Sequence, residues 1–484
     1  MSPAIKDHAV LQRNADTCIW GKGTYEGQTV TLTLGDYRAS GVVGWDMGWR
    51  AFFHDMESSA VPLSLTVSSD GESVTFSDIL IGEVWLVTGQ SNAEFSFKST
   101  KQVHEYYSDV LDSACASDNI RAIIQHREDI IAAGIDETRY EHYNFLNNQK
   151  SSWCVLDSHE KIKPVCVLGY FFAKHFAKFT HIPVGIVMAG CSASPIQELM
   201  PARLAKTFEL KQKRDTIALG GAFNTMIAPV ANMTFGGVLF YQGESEMDNA
   251  PRHLNYDYIL ASYVAELRRK IGNVPFYYVQ LSSHPEPKRS LWHYFNETRN
   301  VQFDALKLIP DSGMVVSRDA GWREGDENMY HPYLKDILGK RLCDLALSKK
   351  YGLLDENYVT SPEPVSAKFY SDRIVLVFKN AGDGLCTYKD LPLLGFEIKE
   401  NGEYRAAKAY VSSKDAVTIS DANNPCAVRF GFDYLAYPEV ATLQNSAGLP
   451  CPCFELKKSE NEGDMSCTDT KWERPQQDEQ SLLV

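Results

Sequence analysis

Five short runs in this chain of 484 residues are apolar at every position, and they restrict the folds open to it. The first is Val84-Trp85-Leu86-Val87. Val184-Gly185-Ile186-Val187-Met188, Gly237-Val238-Leu239-Phe240-Tyr241, Phe276-Tyr277-Tyr278-Val279 and Gly313-Met314-Val315-Val316 follow. A strand without a polar face is buried on both sides. Helical spacings lie between several of these runs. Phe172, Phe176 and Phe179 share one helical face, as do Leu334, Ile337, Leu338, Leu342 and Leu345. Buried strands alternating with amphipathic helices predict a mainly parallel sheet covered by helices on both faces. We place this α/β domain at residues 81–350.

The pattern differs on either side. Residues 1–80 alternate apolar and polar, as in Thr29-Val30-Thr31-Leu32-Thr33-Leu34, which predicts an N-terminal β-domain with one wet face. The change comes at Glu83. Residues 100–165 are polar and predict an irregular or helical excursion over the sheet edge. Alternation returns at Ile374, Leu376 and Phe378, so 360–456 reads as a C-terminal β-domain. The last stretch, 457–484, is rich in Glu, Gln and Ser and reads as a flexible polar tail.

Composition narrows the function. Hydrophobic residues are 44% and charged residues 23%, enough for a full core. Lys and Arg number 48 against 62 Asp and Glu, a net charge of −14, which disfavours nucleic acid because phosphate binding needs a basic face. No apolar stretch is long enough for a transmembrane helix, so no membrane partner is expected. The N-terminus lacks the apolar core of a secretion signal, which predicts a cytoplasmic protein, or a secreted one if a leader has been removed. Eleven irregularly spaced cysteines read as free thiols. Cys451-Pro-Cys453 lacks the spacer of a zinc or redox motif, and no metal or other cofactor is expected.

Four segments could carry chemistry. Gly89-Gln90-Ser91-Asn92 presents a serine just beyond a buried strand, where open α/β sheets bind ligands. Gly190-Cys191-Ser192-Ala193-Ser194-Pro195 is a small-residue corner whose backbone N–H groups can point outward, as an oxyanion site requires. Gln242-Gly243-Glu244-Ser245 offers an amide and a carboxylate. Finally, Glu324-Gly325-Asp326-Glu327-Asn328-Met329-Tyr330-His331-Pro332 puts a histidine beside acids, at the start of the helix that Pro332 would open. Each alone also reads as an ordinary turn. Together they place a nucleophile, donors and a base at the strand ends, which suits acyl transfer.

The segments HAVLQRNADTCIWGKG, IGEVWLVTGQSNAEF, FNTMIAPVANMTFGGVLFYQGESE, VPFYYVQL and NPCAVRFGFDYLAYPEVATLQNSAGLPCPCF resemble the sialate O-acetylesterase family of SGNH-type serine hydrolases. The resemblance implies a flavodoxin-like α/β/α sandwich with flanking N- and C-terminal β-domains. It also implies hydrolysis of acetyl esters on sugars without a metal. GQSN implies Ser91 as nucleophile. YQGES implies Gln242 as an oxyanion donor and Glu244 as a nearby acid, and the His-Pro pair implies His331 as base. Two departures stand out. The family's Trp-Gly-Gly-Thr-Pro corner is Cys191-Ser192-Ala193-Ser194-Pro195 here, and Asn328 occupies the Asp position of the D-x-x-H motif. Glu244 is therefore the first choice to orient His331, with Asp326 second.

The expected reaction is removal of O-acetyl groups from sialic acids through an acetyl-enzyme. The N–H groups of Ser91 and Ser192, with the Gln242 amide, would hold the oxyanion. Arg323 is the candidate for the sialate carboxylate. Acetylated xylan, mannan or another glycan is the alternative substrate. A catalytically degenerate glycan-binding protein is the alternative of a different class. The sequence is silent on oligomeric state.

Overall fold

The computed structural model describes residues 1–2, 4–112, 119–125, 151–213, 217–247, 255–282, 294–321, 326, 331–433 and 438–458. All five apolar runs lie in one sheet. Its parallel strands run in the spatial order Ser312–Val316, Phe276–Gln280, Gly237–Tyr241, Glu72–Gly89, Val184–Gly190 and Ile120–Ile124, with Trp153–Val155 antiparallel at the edge. Setting aside Ile120–Ile124, the parallel strands follow the doubly wound order 2-1-3-4-5.

Successive residues of each strand feed opposite faces, because side chains alternate along a strand. Trp85, Val87, Ile186, Met188, Leu239 and Tyr277 pack into the core that holds Phe172 and Leu342 of the helices Val167–Thr180 and Lys335–Lys349. Val84, Leu86, Val187, Val238 and Phe240 pack into the other core, with Ile259, Tyr263 and Leu267 of the helix Tyr256–Ile271. Helices therefore cover both faces. Gly237 has a packing reason: a Cβ there would sit 2.3 Å from the Trp85 ring on the neighbouring strand.

Several expectations need correction. The region 100–165 is not merely irregular or helical, since it supplies the last two strands at one side of the sheet, Ile120–Ile124 and Trp153–Val155. The pattern change near Glu83 marks no linker. It falls inside one continuous strand, Glu72–Gly89, whose first half pairs with Ser59–Ser69 and whose second half lies in the parallel sheet. Phe179 is 51% exposed, so the helical face it was assigned to ends at Phe176. The helix after Pro332 begins only at Lys335. Eight described cysteines are free thiols, but Cys426 is disulfide-bonded, which residue spacing could not reveal.

The two flanking β regions meet opposite ends of the central strands. On the N-terminal side, the Cys18 N–H donates to Thr234 Oγ1 at 3.1 Å, just ahead of the strand Gly237–Tyr241. Buried Glu83 there accepts from Arg13 Nε at 2.8 Å and Gln12 Nε2 at 3.0 Å. C-terminal residues form two four-stranded antiparallel sheets, whose Phe378 and Phe454 rings lie 6.2 Å apart. They dock at the carboxyl ends. Gln280, the last residue of its strand, exchanges two 3.0 Å hydrogen bonds with the Cys453 backbone. Arg299 and Arg318 both donate to the Gly431 carbonyl at 2.9 Å. The C-terminal sheets thus stand at the same end of the molecule as Ser91.

Candidate active site

Three strands end level with one another. In the register Gly89 lies opposite both Gly190 and Tyr241. The loops leaving them are therefore forced together, and each begins with one of the sequence motifs. Gly89 has φ +132°, and a Cβ there would lie 2.1 Å from the Tyr241 carbonyl oxygen, so the first turn requires glycine. Beyond it Gln90 caps a short helix, Ser91–Glu94, in which the Ala93 and Glu94 N–H groups donate to the Gln90 carbonyl. Buried Gln90 also accepts from the N–H groups of Gly243 at 3.4 Å and Ser245 at 3.3 Å, tying the first loop to the third.

Ser91 is half-buried at the first position of this helix, where its N–H has no intrahelical acceptor. His331 lies beside the same segment. Its ring stacks on Phe95 at 5.6 Å with the planes 16° apart. Burial and the positive charge of Lys335 lower the His331 pKa to about 4, so the imidazole is neutral at ordinary pH and free to accept a proton.

The expected oxyanion donors are placed otherwise. Ser192 N–H donates to Glu94 Oε2 at 2.8 Å. Gln242 is fully buried, and its amide donates to Glu246 Oε1 at 2.9 Å and to the Ser194 carbonyl at 3.3 Å. Its Oε1 accepts from Tyr256 Oη at 2.5 Å, and Glu246 Oε1 also accepts from the Ile196 N–H at 2.8 Å. Gln242 is thus a tie between the second and third loops, not an outward donor. Within the second loop Ala193 adopts φ +58°, a left-handed conformation that costs an L-residue roughly 1–3 kcal/mol. No acceptor for its N–H is found among the described residues. Ala193 was not singled out in the sequence; the small-residue corner at a position the family gives to glycine was the available signal.

Glu244 also departs from expectation. Its Oε1 accepts from Asn92 Nδ2 in a short hydrogen bond, and its buried Oε2 has no hydrogen-bond partner among the described residues. Burial raises its pKa, opposed by the Asn92 bond and by Lys335. It therefore addresses Asn92 and Lys335, and does not orient His331. Asp326 accepts from Gln102 Nε2 at 3.5 Å. Arg323 lies outside the described residues.

Lys335 is the residue that sequence reasoning missed, because a lysine at a helix start ordinarily reads as surface. It is 1% exposed, and its Nζ donates to Asn92 Oδ1 at 2.6 Å. The ammonium also lies 4.9 Å from the Phe95 ring centre and 5.4 Å from that of Tyr241. Among the described residues no three His, Cys, Asp or Glu side chains converge as metal ligands would. No described helix is long and apolar enough to cross a membrane.

The profile of the family "carbohydrate esterase, sialic acid-specific acetylesterase" matches residues 81–344. Human sialate O-acetylesterase is 25% identical over 93% of this chain and 91% of its own length. The Rattus norvegicus protein is 24% identical over 94% and 93%. A carbohydrate acetylesterase from Xanthomonas citri has the same fold, with a TM-score of 0.78 over 95% of this chain and 99% of its own, at 23% identity. The chain is a carboxylic ester hydrolase and belongs to the sialic acid-specific acetylesterase family of carbohydrate esterases.

Proposed function

We propose that this protein is a serine esterase that removes O-acetyl groups from sialic acids through an acetyl-enzyme. The observation that supports the reading is the level ending of three strands, from which the loops carrying Ser91, Ala193 and Glu244 leave side by side, with the His331 ring stacked on Phe95 four residues after Ser91. Ser91 Oγ attacks the acetyl carbonyl while His331 takes its proton. The N–H groups of Ser91 and Ala193 hold the oxyanion. Collapse breaks the bond from acetyl carbon to sugar oxygen, and the imidazolium returns its proton to that oxygen. A low His331 pKa makes the imidazolium a strong acid, which favours protonating a poor leaving group. Water then attacks the acetyl-Ser91 ester with His331 again as base, releasing acetate.

Sialic acid as the sugar rests on the family to which the chain belongs, with Arg323 as the proposed partner of the substrate carboxylate. A net charge of −14 favours the second reading, acetylated neutral glycans, because it repels an anionic substrate. Activity on O-acetylated sialic acid, acetylated xylan and an aryl acetate separates these readings. Sialate specificity requires that Arg323→Ala raise KM for the sialate alone; an equal effect on all three substrates would favour the neutral-glycan reading.

A further inference from the structure

We propose that Lys335 is a positioning residue: through Asn92 and Glu244 it locks the Ser91 turn to the segment that carries His331. The inference rests on the reading of Ser91 and His331 as nucleophile and base. Four facts carry it. Lys335 follows His331 by four residues and opens the helix Lys335–Lys349. Its Nζ donates at 2.6 Å to the side chain of Asn92, the residue next to Ser91. That same Asn92 side chain donates to Glu244 of the third loop. The Phe95 ring stacks on His331 on one side and accepts the Lys335 ammonium at 4.9 Å. Lys335 thus touches the first loop directly and reaches the third through Asn92.

Stability alone does not account for a lysine here. Removing an ammonium from water is repaid only by close pairing, and among the described residues no carboxylate lies within ion-pair distance of its Nζ. Burial lowers the Lys335 pKa to about 7 despite the opposing pull of Glu244, so the site disfavours the ammonium form relative to water. A buried lysine perturbed in this way and bonded to the neighbour of the proposed nucleophile is characteristic of a functional site. The other ionisable groups facing the cluster are Glu94, beside Asn92, Tyr241 and Glu246.

The test is Lys335→Met, which keeps the stem and removes the charge, with Lys335→Arg as the charge-retaining control. His331 is titrated by NMR in labelled protein, alongside kinetics on an aryl acetate. The account expects kcat to fall at least ~10-fold with KM little changed in Lys335→Met. It also expects the His331 titration to move up in pH, with Lys335→Arg staying close to the wild type in titration. An unmoved His331 titration in folded Lys335→Met would overturn the proposal, as would a kcat within twofold of wild type. The NMR readout does not depend on turnover. A moved titration in a protein whose Ser91→Ala variant still hydrolyses ester would fault the assignment of the nucleophile and not the coupling of Lys335 to His331.

Discussion

The backbone N–H of Ser192 donates to Glu94 Oε2 at 2.8 Å, so the amide expected to meet the substrate is held by a side chain three residues after the nucleophile. Glu94 lies against Gly190, where a Cβ would come within 3.3 Å of the Glu94 Cβ, and the two loops interlock there. The corner is therefore shaped by Glu94, and the next residue, Ala193, is left-handed at φ +58° with no acceptor for its N–H among the described residues. Glu94→Ala should lower kcat by at least ~10-fold and leave KM nearly unchanged, because it loosens a preorganised donor. Glu94→Gln keeps an acceptor oxygen and should stay within a few-fold of wild type. Steady-state kinetics on an aryl acetate check both.

Gln242 should behave as a structural residue. Cutting it to alanine removes the side-chain acceptor of Tyr256 and one donor to Glu246, a loss of roughly 1–3 kcal/mol. Urea denaturation of Gln242→Ala should show that loss, accompanied by a modest decrease in kcat. A kcat reduced ~10²–10³-fold at unchanged stability would instead mark an oxyanion donor.

Acid dependence follows from His331. Its folded pKa, about 4, lies below the ordinary histidine value of 6.5. The base must be neutral, so the acid limb of kcat/KM should fall near pH 4, well below that of an unperturbed histidine. The same depression makes the folded state bind fewer protons than the unfolded state between these two values. Stability from this group is present above pH 6.5 and declines as pH falls toward 4. A pH profile on an aryl acetate and a series of melting temperatures from pH 4 to 7 check both signs.

The central sheet was legible in the sequence because strands buried on both faces must be apolar throughout, and all five runs proved to be its strands. Two strands at one side of the sheet, Ile120–Ile124 and Trp153–Val155, escaped notice because they interrupt a polar region and are short. At the site, motif position put Ser91 just beyond a strand, since a strand end fixes where a loop begins. It did not fix which way side chains point. Gln242 and Glu244 are two residues apart in one loop, yet the first turns to Tyr256 and Glu246 and the second to Asn92. Lys335 could not be weighed from sequence, because its burial depends on Asn92, 243 residues away.

The cysteines offer a simple chemical check. Cys426 is disulfide-bonded, whereas Cys18, Cys166, Cys191, Cys343, Cys451 and Cys453 are buried free thiols. Titration of unfolded, unreduced protein should therefore find fewer than the 11 thiols of the sequence, and reduction should restore them.

The central claim is that Ser91 carries the acetyl group between the two half-reactions. Its most direct test is the intact mass of enzyme quenched early in turnover of an aryl acetate, followed by peptide mapping. The account predicts a gain of one acetyl group on the peptide containing Ser91, absent in a folded Ser91→Ala protein that has lost ~10⁴-fold or more of its turnover. Near-normal turnover by Ser91→Ala, or acetyl trapped on a different side chain, would contradict it.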